Sequence, residues 1–582
     1  MMTGAAAAVA LEGGSSRSAP LPPSVPPVAQ ADSQRDVLLV LAATCDAGAD
    51  QPSALTVAVS VPVDGRPVFR LADAVVGSPG MAALISDVTA SDRAGRLPLV
   101  RGGGRDLELA AARDVVGTVT LRYRARSVPV SVEGGGRFAL RHDATGIGGL
   151  GQAFLVLPEL RRVRRVRIEW GQPVECGAGA GGGGLSSFGS GSVMIDATSG
   201  LDTLRSAVYF FGRPRVVTAA EGAAHVRTAW FGAPVFDVAA AAAWAARAYA
   251  AERALFADDD SGDYALFARV VPSLGDRSNG VGQPDSLLLA IGPRTALGPR
   301  LRINIAHEML HRWLGLRVRL AGPDGSSFWF SEGFTVYYAN VVMLRTGLVT
   351  PDEFLAELNL AATRQLANPY SAATNDAIRR DFFASDAVSV VPYTRGALYA
   401  AELDASIRRA SRGARRLDDV MRELERAARA AHAAAGLPGD ALRKLVVREL
   451  GQAGADRYDA VIVRGGQPAP PRDAFGPCFA GEPHAVATYE LGFDERLSLV
   501  EPRAIRKLVA GSAAARAGLV EGDRLVSLES RFLDPEAEAA VVVERGGKQF
   551  PARYLPARAG SVREGIRWSR VSAVPDQQCR AW

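Results

Sequence analysis

Two histidines stand four residues apart in the stretch Ile305-Ala306-His307-Glu308-Met309-Leu310-His311-Arg312-Trp313. On a helix that spacing sends both imidazoles from one face, a turn apart. Two neutral imidazoles so placed can share one zinc ion, and Glu308, next to the first, is set to take a proton from a water at the metal. A catalytic zinc needs a third protein ligand and one open position. Glu332 meets that need. It lies in Phe328-Trp329-Phe330-Ser331-Glu332-Gly333-Phe334-Thr335-Val336-Tyr337-Tyr338, with 20 residues between it and His311. The intervening Leu320–Ser327 is rich in turn formers, which lets two helices run back against each other. The expected chemistry is metal-assisted hydrolysis using one Zn2+ held by His307, His311 and Glu332.

The elements that must hold these residues follow from pattern. The first histidines fall on a helix expected over Arg302–Leu316, and Glu332 opens a region, 328 to about 451, that reads as mostly helical. Thr350-Pro351-Asp352-Glu353 has the form of a capping box with proline at the first helical position. Upstream, Asp237 can cap a helix running to about Phe256, and Tyr264–Val271 and Ser286–Ile291 read as strands. Between 36 and 215 the pattern is β-rich. In Gly117–Arg124, for example, Val119, Leu121 and Tyr123 alternate with polar neighbours. Gly177–Gly184 reads as a loop, and it lacks the Gly-Lys-Ser/Thr ending of a phosphate loop. Gly466–Arg472, rich in proline, reads as a linker.

A chain of 582 residues, 48% of them hydrophobic, has material for roughly three or four domains. The expected fold class is multidomain α+β. Residues 1–35 form a disordered leader or cryptic signal, 36–215 an N-terminal β-rich domain, and 216–326 an α/β catalytic subdomain. Residues 327–472 form a helical catalytic subdomain and linker, and 473–582 a small C-terminal domain. No apolar run is long enough for a transmembrane helix. The net charge of +5 is spread along the chain, and with only Lys444, Lys507 and Lys548 as lysines nearly all of it is arginine. The densest run, Arg161–Arg167, leads into alternation with Val166, Ile168 and Trp170. That describes a solvated strand face rather than a basic patch with aromatics, so no nucleic-acid partner is expected. Four cysteines, Cys45, Cys176, Cys478 and Cys579, are paired by region. They read either as two disulfides in a periplasmic or secreted protein, or as reduced thiols in a cytoplasmic one.

The two motifs around His307 and Glu332 resemble those of the gluzincin metallopeptidases, the clan of thermolysin-like enzymes and zinc aminopeptidases. Val391-Pro392-Tyr393-Thr394-Arg395-Gly396 looks like that clan's Val-Pro-Tyr-x-Lys/Arg-Gly segment, which implies that Tyr393 hydrogen-bonds the tetrahedral intermediate. Near the C-terminus, Val509-Ala510-Gly511-Ser512-Ala513-Ala514 leads into Ala517-Gly518-Leu519-Val520-Glu521-Gly522-Asp523-Arg524-Leu525, a pattern similar to a PDZ domain. In it Glu490-Leu491-Gly492-Phe493 would form a carboxylate-binding loop for a peptide C-terminus. Together these segments resemble the glycyl aminopeptidase family with a C-terminal PDZ domain. The resemblance implies a thermolysin-like core and an aminopeptidase-like enzyme acting on peptide or protein substrates.

One segment departs from the family. Its aminopeptidases carry a glutamate beside the zinc that reads the substrate's free α-amine. Here the stretch is Asn279-Gly280-Val281-Gly282-Gln283-Pro284-Asp285-Ser286, and the glutamate's place falls on Gly282 or Gln283. Gly280, Gly282 and Gln283 are the candidate substrate-binding residues, and none can pair with an ammonium as a charge. Three alternatives stay open: an endopeptidase, a zinc hydrolase acting on a non-peptide bond such as an epoxide, and a peptide-binding scaffold with a relic zinc site. A serine hydrolase is not expected, since no Gly-x-Ser-x-Gly elbow occurs.

Overall fold

The computed structural model describes residues 36–46, 51–76, 78–132, 138–160, 165–173, 182–197, 200–260, 262–431 and 436–581. The leader expected at 1–35, residues 161–164 and residues 174–181 lie outside them. The chain divides into two compact units, residues 1–253 with 259–312, and residues 254–258 with 313–582.

In the first unit, alternation builds strands. Val57, Val59 and Val61 of one strand are buried, while Thr56 and Ser60, on its other face, pair by hydroxyl contacts with Thr44 and Thr120. A seven-stranded sheet contains β1 (Val37–Cys45), β2 (Pro52–Pro62), β3 (Ile85–Asp92), β4 (Gly95–Arg96), β5 (Thr118–Arg126), β6 (Arg165–Trp170) and β7 (Val193–Asp196), in the order β7-β6-β1-β2-β5-β3-β4. Part of the glycine stretch expected as a loop is instead strand: Gly183–Ser186 pairs with Val208–Gly212, because glycine lets Trp170 lie on the backbone of Gly184 where a Cβ would collide with the ring.

A second, five-stranded sheet carries the motif helix. Its strands are β8 (Arg215–Glu221), β9 (Ala224–Phe231), β10 (Asp263–Val270), β11 (Ser278–Gln283) and β12 (Ser286–Ile291), in the order β8-β9-β10-β12-β11. One face joins the large β core: Ala229, Phe231, Ala265, Phe267 and Leu288 belong to the same apolar cluster as the N-terminal strands. Two helices belong to this region. Helix α1 (Val238–Phe256) is capped by the Asp237 carboxylate, which accepts from the amides of Ala239 and Ala240. Helix α2 (Pro299–Leu310) begins on proline. It stops six residues short of the expected Leu316. The chain turns at Gly315, whose φ is +94°, and Leu314 bridges Val318, a geometry incompatible with further helical turns.

Among the described residues of the second unit, helices predominate from 328 to 463. Its helices are α3 (Phe328–Ser331), α4 (Gly333–Arg345), α5 (Pro351–Ala367), α6 (Asn375–Asp381), α7 (Asp386–Ala410), α8 (Leu417–Ala431) and α9 (Ala441–Tyr458). The capping box is present as read: Thr350 Oγ1 accepts from Glu353 N, and Glu353 accepts from Thr350 N. The expected linker is built in. Pro468 and Pro470 are buried, Gln467 donates to the Glu564 carbonyl, and the Ala469 amide donates to Glu402.

Beyond it, β13 (Phe479–Tyr489) pairs along its length with a long final strand. A short helix α10 (Ala513–Arg516), capped by Ser512, precedes the three-stranded sheet of β14 (Arg524–Glu529), β15 (Ala539–Arg545) and β16 (Lys548–Tyr554), and β17 (Ala557–Arg570) closes the region. Cys478 and Cys579 form a disulfide, and Cys45 is disulfide-bonded as well. Among the described residues no helix is long and apolar enough to cross a membrane.

Candidate metal centre

Helix α2 turns one side inward. Leu301, Ile305, Ala306, Met309 and Leu310 are at most 2% exposed, and Glu308 is also buried, while His307 and His311 are half-buried. The two imidazole rings lie 4.7 Å apart, nearly perpendicular. His311 is the residue that ends the helix, still in helical conformation, so the i, i+4 relation survives the early stop.

The helix rests on β11, the edge strand of its sheet. Contact here is backbone against side chain. A Cβ on Gly280 would fall 2.3 Å from Glu308 Cγ and 2.6 Å from its Oε1, and one on Gly282 would fall 2.3 Å from the Glu308 carbonyl and 2.7 Å from His311 Cβ. Only glycine permits that approach. Ser278, in phase with both glycines, accepts from Asn304 Nδ2 of the helix at 3.2 Å. Gln283 is out of phase with them and buried, and it pairs in the ladder with Ser286. Just beyond, Arg312 donates to the Pro284 carbonyl and pairs with Asp285, fastening the C-terminal end of the motif to the turn after β11.

In the second unit, Glu332 sits at the joint between α3 and α4. Its amide donates to the Phe328 carbonyl and its carbonyl accepts from Val336 N, so the backbone runs nearly helically through it. Trp329, Phe330 and Phe334 pack ring on ring around this joint. Gly333 and Gly396 let α4 and α7 touch at backbone distance. A Cβ on Gly333 would meet Gly396 Cα at 2.4 Å and the Pro392 carbonyl at 2.7 Å, and one on Gly396 would meet the Trp329 carbonyl at 2.0 Å. Tyr393 therefore rides on the turn of α7 that crosses the start of α4. It is half-buried in a run that is otherwise buried. Thr394 donates to Gln365, and Arg395, 1% exposed, donates to the carbonyls of Ser371 and Ala373; burial pushes the Arg395 guanidinium down to about 10.

His307, His311 and Glu332 each offer one ligand atom, and these atoms all lie within 4.8 Å of one another. The donor set, two imidazole nitrogens and a carboxylate oxygen, suits zinc in a catalytic arrangement, with three protein ligands and a fourth position left for water or substrate.

The profile of the M61 glycyl aminopeptidase family matches residues 301–377. That span includes His307, Glu308, His311 and Glu332 and stops before Tyr393. It supports a metallopeptidase. No curated protein matches the chain. Among solved structures, an aminopeptidase N family protein from Idiomarina loihiensis is similar at a TM-score of 0.67 and 15% identity, over 93% of this chain and 99% of that one, which establishes a shared fold. An M1 zinc metallopeptidase from Deinococcus radiodurans aligns with 75% of this chain and 95% of its own at 17% identity and a TM-score of 0.47.

One group near the metallopeptidase motif escapes sequence reading. Glu252 of α1 is fully buried, and neither carboxylate oxygen has a hydrogen-bond partner. Burial pushes its carboxyl well above the ordinary value. Tyr264 of β10, whose ring lies 4.9 Å from Tyr249 of α1, is also fully buried and feels both Glu252 and Glu308. Burial thus disfavours the charged form of the Glu252 carboxyl. Glu252 sits in an alanine-rich helix with no clear apolar stripe, so nothing in the sequence separates it from a solvated glutamate.

Proposed function

We propose that this protein is a zinc-dependent peptidase with an aminopeptidase-like, gluzincin catalytic core. In this reading His307, His311 and Glu332 are the metal ligands, Glu308 is the general base and Tyr393 donates to the developing oxyanion. The observation that carries it is the meeting of the three ligand atoms within 4.8 Å, with Glu308 adjacent to the first and the family match spanning all four residues.

A bound zinc supplies Lewis acidity toward a peptide carbonyl and toward water. The rest is the work of the chain. Glu308, buried against the bare backbone of Gly280, accepts the proton of the attacking water and delivers it to the departing amine nitrogen. Its carboxylate cannot swing toward β11, which keeps it aimed along one direction. The Tyr393 phenol donates a hydrogen bond to the carbonyl oxygen as negative charge gathers there. Gly280, Gly282 and Gln283 border the substrate as parts of β11.

The C-terminal region is read as PDZ-like and as a site for a peptide C-terminus. Support comes from the Ser512-capped turn of helix, the left-handed glycines Gly518 and Gly522, and Asp523, which pairs with Arg545 and accepts from Val520 N. The division at 36–215, 216–326, 327–472 and 473–582 goes with this reading. The two cysteine bridges support an oxidising compartment, periplasmic or extracellular.

The deciding experiment measures bound zinc and peptide hydrolysis for the wild type and Glu308→Gln. The wild type is expected to bind one zinc and cleave. The variant is expected to keep its zinc and lose activity by ~10²–10⁴-fold. Zinc bound without hydrolysis of any peptide by the wild type would favour the scaffold reading instead.

A further inference from the structure

We infer that substrates are bound without their free N-terminal amine being read, so that the enzyme cuts internal bonds and accepts N-terminally blocked chains. This rests on the peptidase reading above. A free α-ammonium brought out of water costs several kcal/mol unless a carboxylate meets it. The segment alongside the general base offers none. On β11 the positions in phase with the motif helix are Ser278, Gly280 and Gly282; the first is engaged by Asn304, and the glycines have no room for a side chain of any kind. A glutamate at 282 would have to displace the Glu308 carbonyl or His311. Gln283 is buried and out of phase with that face, and it is uncharged.

Two carboxylates flank the strand. Asp276 lies in the turn before it, separated from Gly280 by three residues. Asp285 follows it and is paired with Arg312, whose side chain is only 4% exposed. Taking Asp285 for a substrate amine would break its ion pair with that buried guanidinium. What β11 does present beside Glu308 is bare backbone at a sheet edge. Such an edge holds an extended chain through main-chain hydrogen bonds, and it does so equally well wherever the chain's N-terminus lies.

The test uses matched peptides, one with a free N-terminus and one Nα-acetylated, given to the zinc-loaded full-length protein with Glu308→Gln as blank. Products are read by mass spectrometry. Internal cuts are expected, with kcat/KM for the acetylated peptide within about threefold of its free partner. Asp285→Asn is expected to leave that ratio unchanged, a readout that loss of general stability does not move. Release of single residues from free N-termini, together with a drop of ~10⁴-fold on acetylation, is the signature of a site built to bind the amine and would overturn the inference. So would a ratio that collapses in Asp285→Asn, which would make Asp285 the amine reader. Failure to cut either peptide with zinc bound refutes the peptidase reading itself, and the inference with it.

Discussion

Both regions that carry the proposed chemistry are built on glycine contacts, and they use them differently. In the first unit, Gly280 and Gly282 strip a strand bare so that the proposed general base, Glu308, packs directly on peptide backbone. In the second, Gly333 and Gly396 bring two helices together, and Glu332 and Tyr393, the proposed ligand and hydrogen-bond donor, are neighbours of the glycines rather than their contacts. A disturbance at the strand therefore strikes Glu308 at once. At the helix crossing it must first move a helix. The same residue type serves local aim in one place and long-range placement in the other.

Substitutions can break this contrast. The largest effect after loss of Glu308 is expected at Tyr393. Tyr393→Phe removes one hydrogen-bond donor and no packing volume, so kcat should fall ~10²–10³-fold with KM and the melting temperature little changed. An unaltered kcat would remove Tyr393 from the reaction.

Gly280→Ala comes next. Its methyl group must displace the Glu308 side chain, and misplacement by about 1 Å is expected to lower kcat by ~10²-fold while zinc stays bound. Full activity would mean that Glu308 has freedom the packing denies it. Gly396→Ala should instead act mainly on stability. Overpacking a backbone crossing costs ~1–3 kcal/mol, visible as a lower denaturation midpoint with a smaller proportional change in kcat than at Gly280. If the two alanine variants lose activity and stability in the same ratio, the contrast between the regions is wrong.

The smallest expected effect belongs to Glu252. Its folded-state pKa is raised by burial, so above the ordinary glutamate value of 4.5 the unfolded chain releases this proton before the folded protein does. Stability is then fully present at low pH and falls as pH rises toward the folded value, by about 1.4 kcal/mol per pH unit for this one group. Glu252→Gln keeps the shape and removes the proton. Urea midpoints across a pH series should show the wild type losing ground to the variant above pH 4.5. Parallel curves would show that Glu252 is ionised or hydrated in the folded protein.

The sequence was most legible where spacing and chemistry coincide. That the i, i+4 histidines and the distant Glu332 come together could be read because a shared ion demands those residue types at such intervals, and the capping box at Thr350 because its two hydrogen bonds depend only on local order. Legibility failed where distant packing decides. The motif helix reads as running to Leu316, and the turn at Gly315 that ends it depends on a bridge to Val318. Gly466–Arg472 has the composition of a linker, yet two of its three prolines are buried and polar groups of Gln467 and Ala469 are engaged by β17 and by Glu402. The bareness of β11 beside Glu308 was also hidden. Two alternating glycines look like a flexible strand until the helix that presses on them is known.

The Cys478–Cys579 bridge gives the C-terminal region an unusual topology. The residues it joins are 101 apart in sequence but 5.3 Å apart at their Cα atoms, and nearly everything after the helical part lies between them. Covalently the region is a closed ring, and it is also held by packing, since Leu366 and Ala367 of α5 share its apolar cluster and Asn359 exchanges hydrogen bonds with Trp568. A single cut anywhere in that ring, by a foreign protease or by a neighbouring copy of this enzyme, opens the ring without shedding it. A clipped molecule would travel with the intact one, and its pieces would part only when the bridge was reduced and the pairing of β13 with β17 was also undone.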